Sequence, residues 1–484
     1  MGSDQALPEF SQYHDLKDDE KILYHPISIL SPPSARHRGA RNMGVLLLFS
    51  MLCALGLYVV VVTADSARST TLGLNAPSLL FKLPKSWAQY SPYFPVEEYG
   101  DPPQHCRVTQ VNIIQRHGAR YPTSGSAKMI VAALNKLLSV EEFTDDRLNF
   151  LKDYNYRLGE NDLLPFGARE SQLAGQVHFT RYKHLVSHGQ LPYYQQSKIL
   201  SASNIVAIAG FSIASHHVYN PSLSLIISEK LNNTLHAEMC PNAGTAIAQT
   251  SEWLSKYGPA IAERLNRHAP GANLTSTDVF GLLSLCPFES VSLNRLSSFC
   301  KLFSESEFQQ FEYSGDLDKY YNTGYGQPLG PVQGVGYVNE LLARLTGTPV
   351  RDNTQTNRTL DASPVTFPLN RTIYADFSHD NQMIAIYAAI GLFKQHTAPD
   401  PSFPNPKRNW LASHLVPFSA RMVTEKLACG RRGEEFVRIF VNDAMQPLEF
   451  CGAGKDGLCT LRAFVESQAY ARNDGNGDFE KCYE

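Results

Sequence analysis

Hydrophobic and polar residues alternate along Val108-Thr-Gln-Val-Asn-Ile-Ile-Gln115, with β-branched types frequent, and this period of two predicts a strand. From Ala127 to Leu138 apolar positions recur instead near i, i+3 and i+4, which predicts a helix. The same change of period returns downstream, where Thr372–Phe377 alternates and Met383–Phe393 follows a strongly apolar helical pattern. Gln382–Phe393 is too short to span a bilayer and is expected to be a core helix. Further helices are expected at Thr245–Leu254, Thr277–Cys286 and Val338–Leu345. The run Gly324–Gly336 is rich in glycine but matches neither a dinucleotide nor a P-loop pattern, so it is expected to be a loop leading into the helix at Val338. Because the pattern is mainly helical and loop-like from about residue 140 to 313, an insertion forming a mostly helical second lobe is expected there.

Ahead of these patterns the chain changes character twice. Residues 1–42 are polar and broken by Pro26, Pro32 and Pro33, which predicts a disordered cytosolic tail. Met43–Thr63 carries no charge, and at about 1.5 Å per residue it just reaches across the roughly 30 Å of bilayer hydrocarbon. With Arg36, Arg38 and Arg41 upstream, an uncleaved signal-anchor over 43–63 is expected, the body lying on the lumenal or extracellular side. The alternative is a cleavable signal peptide ending near Ala64, which would release a secreted protein. Residues 64–85 are expected to form a stalk and residues 86–484 the body. Four Asn-x-Thr sequons, at Asn232, Asn273, Asn357 and Asn370, fit such a location.

Composition adds little beyond exclusions. A formal net charge of −3 over 484 residues gives no general pull toward nucleic acid. Of nine cysteines, Cys53 lies in the apolar stretch; the remaining even number points to disulfides in an oxidising compartment. Neither the cysteines nor His184, His188, His216 and His217 have metal-ligand spacing, so no metal or cofactor is expected.

Candidate chemistry sits at the two strand-to-helix junctions. Arg116-His117-Gly118-Ala119-Arg120-Tyr121-Pro122-Thr123 places two guanidiniums and an imidazole around a glycine, just before a helix start. Guanidinium forks donate in pairs to phosphate oxygens, and a helix N-terminus also favours an anion. His117, as a neutral ring, can attack phosphorus and carry the phosphoryl group. At the second junction, Ser378-His379-Asp380-Asn381, His379 is a second phosphate ligand and Asp380 the acid that protonates the leaving alkoxide. In an open α/β sheet, ligands gather beyond the carboxyl ends of the strands, so both turns can face one pocket.

Arg116-His117-Gly118-Ala119-Arg120-Tyr121-Pro122 resembles the signature of the histidine acid phosphatases, and Ala375–Asn381 resembles their His-Asp turn. Ser86-Trp-Ala-Gln-Tyr-Ser-Pro-Tyr-Phe94 is similar to the corresponding segment of the fungal phytase branch. The resemblance implies a phosphoglycerate-mutase-like α/β domain with an inserted, mostly α-helical smaller domain. It implies hydrolysis of phytate (myo-inositol hexakisphosphate) or a related ester through a phosphohistidine. It also implies the disulfides Cys106–Cys429, Cys240–Cys482, Cys286–Cys300 and Cys451–Cys459. One departure stands out: the family's third phosphate-binding arginine has no counterpart in Leu191–Val206, where Lys198 is the only cation and a weaker substitute. That gap supports the alternative of a membrane-anchored binding protein on a phosphatase fold, with weak or no turnover. A mutase-like phosphoryl transfer is a further alternative within the enzyme class.

Overall fold

The computed structural model describes residues 84–186, 192–197, 224–228 and 230–484. The 43–63 stretch and Lys198 lie outside the described residues, and among those described no helix is long and apolar enough to cross a membrane. The described body carries a mixed sheet of strands β1 (Cys106–Arg116), β2 (Tyr193–Ser197), β3 (Ser224–Ile227), β4 (Ile373–Ser378), β5 (Arg421–Cys429), β6 (Glu434–Val441), β7 (Ala444–Met445) and β8 (Cys459–Thr460). The order is β3-β2-β4-β1-β5-β6-β7, with β8 on β6. The first four run parallel to one another, whereas β5 and β6 are antiparallel additions.

Both faces of this sheet are covered, which explains why β1 alternates without a water-facing side. Val111 and Ile113 enter one apolar cluster with Tyr182 and Val423, while Ile114 enters another with Met422 and Ile439. The polar positions sharing the second face are therefore buried, and Gln110 donates from its amide to the Arg344 carbonyl at 2.9 Å. Helix α1 (Ser124–Leu138) follows β1, with Thr123 capping its start, and buries Ala127, Ile130, Ala133, Leu134 and Leu137. Helix α2 (Pro165–Tyr182) begins at a proline in its first turn, a position that needs no N–H partner. Helices α3 (Ile247–His268), α4 (Ser276–Leu293) and α5 (Glu305–Asn322) share a core with α1, to which Trp253, Leu282 and Phe311 belong. Each fully buried aliphatic side chain there contributes about 1.5–3 kcal/mol.

Helix α6 (Val335–Thr346) and helix α7 (Asp380–Ile390) pack on the sheet face that Ile114, Met422 and Ile439 share. The expected Met383–Phe393 helix thus starts earlier and stops at Gly391, whose φ of 98° ends the helical run. The glycine run before α6 has a packing role as well: a Cβ on Gly334 would stand 2.4 Å from the Ala385 carbonyl oxygen of α7. Disulfides join Cys106–Cys429, Cys240–Cys482, Cys286–Cys300 and Cys451–Cys459. Cys106 and Cys429 are direct cross-strand partners of β1 and β5. Asn232, Asn273 and Asn370 are exposed, while Asn357 is half-buried and accepts through its side chain from Leu360 N–H, capping a short helical turn.

Candidate active site

Parallel pairing of β1 and β4 matches Arg116 with Ser378, so the next residue on each strand is a histidine. The two rings meet beyond the carboxyl edge, edge to face, with centroids 5.7 Å apart and planes inclined at 66°. His117 is buried, and its Nδ1 lies 2.8 Å from the Gly118 carbonyl oxygen. A carbonyl only accepts, so the proton sits on Nδ1 and the lone pair of Nε2 is presented on the other side of the ring. That Nε2 accepts from Arg120 Nε at 3.3 Å. Arg116 is buried under the ring of Phe418; its Nη1 donates to the carbonyls of Gln89 and Val416, and its Nη2 lies 3.2 Å from Asp380. Its Nε has no partner among the described residues, which leaves Nε, beside the Asp380-paired Nη2, for an oxyanion.

His379 is the N-cap residue of α7 and Asp380 its first helical residue, so the positive end of that helix points at the same place. The Ser378 hydroxyl donates to the Leu235 carbonyl at 2.7 Å, and Gln382 donates to the Thr234 carbonyl at 2.7 Å. These bonds bring the Asn233–His236 segment against the end of β4, and the His236 ring stands 6.4 Å from that of His379.

Electrostatics separates the roles. Burial, and then Arg116, Arg120 and His379, hold the His117 imidazole well below its ordinary range, so it stays neutral in acid. Burial pushes His379 down to about 4, helped by Arg120, His236 and Arg116 and opposed by Asp380. Burial would raise Asp380, but Arg116 and Lys319, with His117 behind them, outweigh it and keep the carboxyl well below its usual range. Asp380 is therefore ionised before a phosphate ester enters the site.

A family model, the histidine phosphatase superfamily (branch 2), matches residues 107–205 and 214–442. The chain belongs to that superfamily. It is 39% identical over 417 residues to Phytase A of Aspergillus fumigatus, covering 81% of this chain and 89% of that one. It is 37% identical over 416 residues to Phytase A of Aspergillus oryzae, covering 81% and 89%. The fold matches the crystal structure of the phytase from D. castellii with a TM-score of 0.67 at 24% identity, covering 84% of this chain and 87% of that one. It also matches the Bifidobacterium longum multiple inositol polyphosphate phosphatase in complex with inositol hexasulfate, with a TM-score of 0.58 at 13% identity over 78% and 96% of the two chains. The architecture is the α/β histidine phosphatase fold with a helical region, and the protein is a phosphoric monoester hydrolase.

Within this histidine phosphatase the structure brings Arg116, His117, Arg120, His379 and Asp380 together, and adds two groups that sequence reasoning passed over. Lys319, near the end of α5, is buried and lies 3.1 Å from Asp380 and 3.0 Å from Asp318, while donating to Asn381 at 2.6 Å. Burial alone would lower its ammonium pKa; Asp318 and Asp380 raise it instead. His236 is the other. Neither sits in a motif, since each reaches the site from a distant segment, and only the fixed helix and the pinned loop reveal them. On β2 the described positions nearest the missing arginine are glutamines, and Gln195 accepts from Arg344, itself paired with Asp376 at 2.5 Å.

Proposed function

We propose that this protein is an acid phosphomonoesterase that hydrolyses phytate or related organic phosphate esters through a phosphohistidine at His117. The observation that carries this reading is the contact geometry of His117, whose Nδ1 lies against the Gly118 carbonyl and so carries the proton, with Nε2 facing the Arg120 guanidinium. Arg116, Arg120 and His379 bind the phosphoryl oxygens, and Asp380 donates to the leaving oxygen. An incoming phosphate competes with Asp380 for Arg116 and adds negative charge, so Asp380 takes up a proton as the ester binds. Water then hydrolyses the phosphohistidine. Phytate is favoured as the substrate because the relatives with similar sequences are named Phytase A. Lys198 is a weak stand-in for the third arginine.

The body, residues 86–484 with a helical insertion at about 140–313 that strands β2 and β3 of the main sheet interrupt, lies in the lumenal or extracellular space, anchored through 43–63 or released by cleavage after it. The four disulfides and the exposed sequon asparagines support that location. Phosphate release by the full chain from a eukaryotic host, on phytate and on an aryl phosphate from about pH 3 to 8, tests the reading. Release that survives EDTA and disappears in His117→Ala supports it. Absence of release from folded protein supports the second reading, a binding protein, which the arginine-free stretch Leu191–Val206 favours.

A further inference from the structure

Glu170 of α2 is buried, touches none of the reacting groups, and lies behind the loop that presents His117. Its carboxylate accepts from Ala119 N–H at 2.8 Å and, through the other oxygen, from Tyr93 N–H at 2.9 Å. These two donors belong to the two stretches of chain that hold Arg116. Ala119 lies between His117 and Arg120, and Tyr93 follows the segment whose Gln89 carbonyl receives the Arg116 guanidinium. The start of α2 lies flush on the same loop. A Cβ on Gly118 would stand 2.1 Å from the Gly167 oxygen, and one on Gly167 would stand 2.0 Å from the Ala119 oxygen. Leu164 N–H closes the contact with a bond of 3.0 Å to that same Ala119 carbonyl.

We propose that Glu170 is a positioning residue for phosphoryl transfer, a buried carboxyl clamp that fixes the His117 loop and the Arg116-receiving segment relative to each other. The proposal rests on the functional reading above. Two N–H groups converging on two oxygens of one side chain call for a carboxyl group, whose two oxygens both carry acceptor lone pairs, whereas the NH2 of an amide only donates. Arg421 and Arg116 face it as the nearby positive charges, yet burial still pushes the carboxyl up to about 7. An apolar side chain would fill the volume without that desolvation cost. Such a side chain would leave both N–H groups unpaired and the loop free to shift on Gly167.

The test compares the full chain with Glu170→Gln, Glu170→Asp and Glu170→Ala, measuring thermal unfolding, kcat and KM on an aryl phosphate, and single-turnover phosphorylation of His117. A displacement of about 1 Å costs roughly 100-fold in rate. Glu170→Ala is therefore expected to lose about 100-fold in kcat and Glu170→Gln about 10-fold, with KM changing less than about threefold. Phosphorylation of His117 should slow in parallel with kcat. Glu170→Asp, one methylene short of both donors, carries the test if the glutamine variant does not fold. Folded variants with wild-type kcat overturn the proposal, as does a loss that falls on KM alone. A wild-type chain that turns over without phosphorylating His117 overturns the functional reading, and the clamp's stated role with it.

Discussion

The two strand-to-helix turns that meet at the carboxyl edge carry similar residues and are held in different ways. At the end of β1, His117 sits in a loop that continues to Thr123 before α1 begins, and its shape depends on distant chain: Gly167 against Gly118, Glu170 on Ala119, and His117 O accepting from Ser419 N–H at 2.8 Å. At the end of β4 there is no such loop. His379 is already the cap and Asp380 already helical, so the start of α7 places both. A nucleophile needs one nitrogen aimed along a single line, whereas an acid at a helix start needs reach and a tunable proton. The first turn is therefore built by tertiary packing and the second largely by local geometry.

This contrast predicts different kinds of damage. Asp380→Asn removes a proton, not a shape. It is expected to slow hydrolysis of alkyl phosphates by about 10²–10⁴-fold while affecting a nitrophenyl phosphate far less, since that leaving group needs little protonation. Steady-state rates across a leaving-group series check this; equal losses on all esters would remove Asp380 from the acid role. Gly118→Ala forces a methyl group onto the Gly167 carbonyl and is expected to lose about 100-fold in kcat together with about 1–3 kcal/mol of stability. Its counterpart at the second turn, Ser378→Ala, removes one hydrogen bond to Leu235 and should cost about 1 kcal/mol in denaturant melts, with kcat changed only a few-fold. Comparable kinetic damage from both would erase the distinction.

Smaller effects concern protons. Asp380 is ionised in the unliganded site because Arg116 and Lys319 hold it low against its burial. Binding of a phosphate anion should draw a proton from solution near pH 5, detectable as a buffer-dependent heat in calorimetry and absent in Asp380→Asn. His379, at about 4 in the folded protein against an ordinary 6.5, binds its proton more readily when unfolded. Its contribution to stability is thus fully present above pH 6.5 and is lost as pH falls toward about 4. Chemical denaturation at intervals across that window should show a decline in wild type that is shallower in His379→Gln.

Much of the fold and of the proposed site was legible because it is local. The period change from two to 3.6 at Gln115–Ala127 and again at Phe377–Met383 marks both strand–helix units, and the charged residues between them are contiguous in sequence. What was not legible depends on long-range packing. Lys319 is one lysine near the end of a helix with no distinctive pattern until α5 is set beside Asp380. His236 lies in an irregular loop held by side chains of β4 and α7. The ionised state of Asp380 depends on Arg116 and Lys319 both being packed beside it, which only the folded chain shows. Glu170 carries no signal at all, because its partners are backbone N–H groups that sequence does not distinguish.

Attack of His117 Nε2 on phosphorus is open to a direct test, rapid alkaline quenching of the working enzyme followed by mass spectrometry of the His117 peptide. The expected result is a phosphoryl group on His117 that forms and decays at rates consistent with turnover, and that is absent from His117→Ala together with the activity. Turnover with His117 unmodified, or with the phosphoryl group on His379, would contradict it.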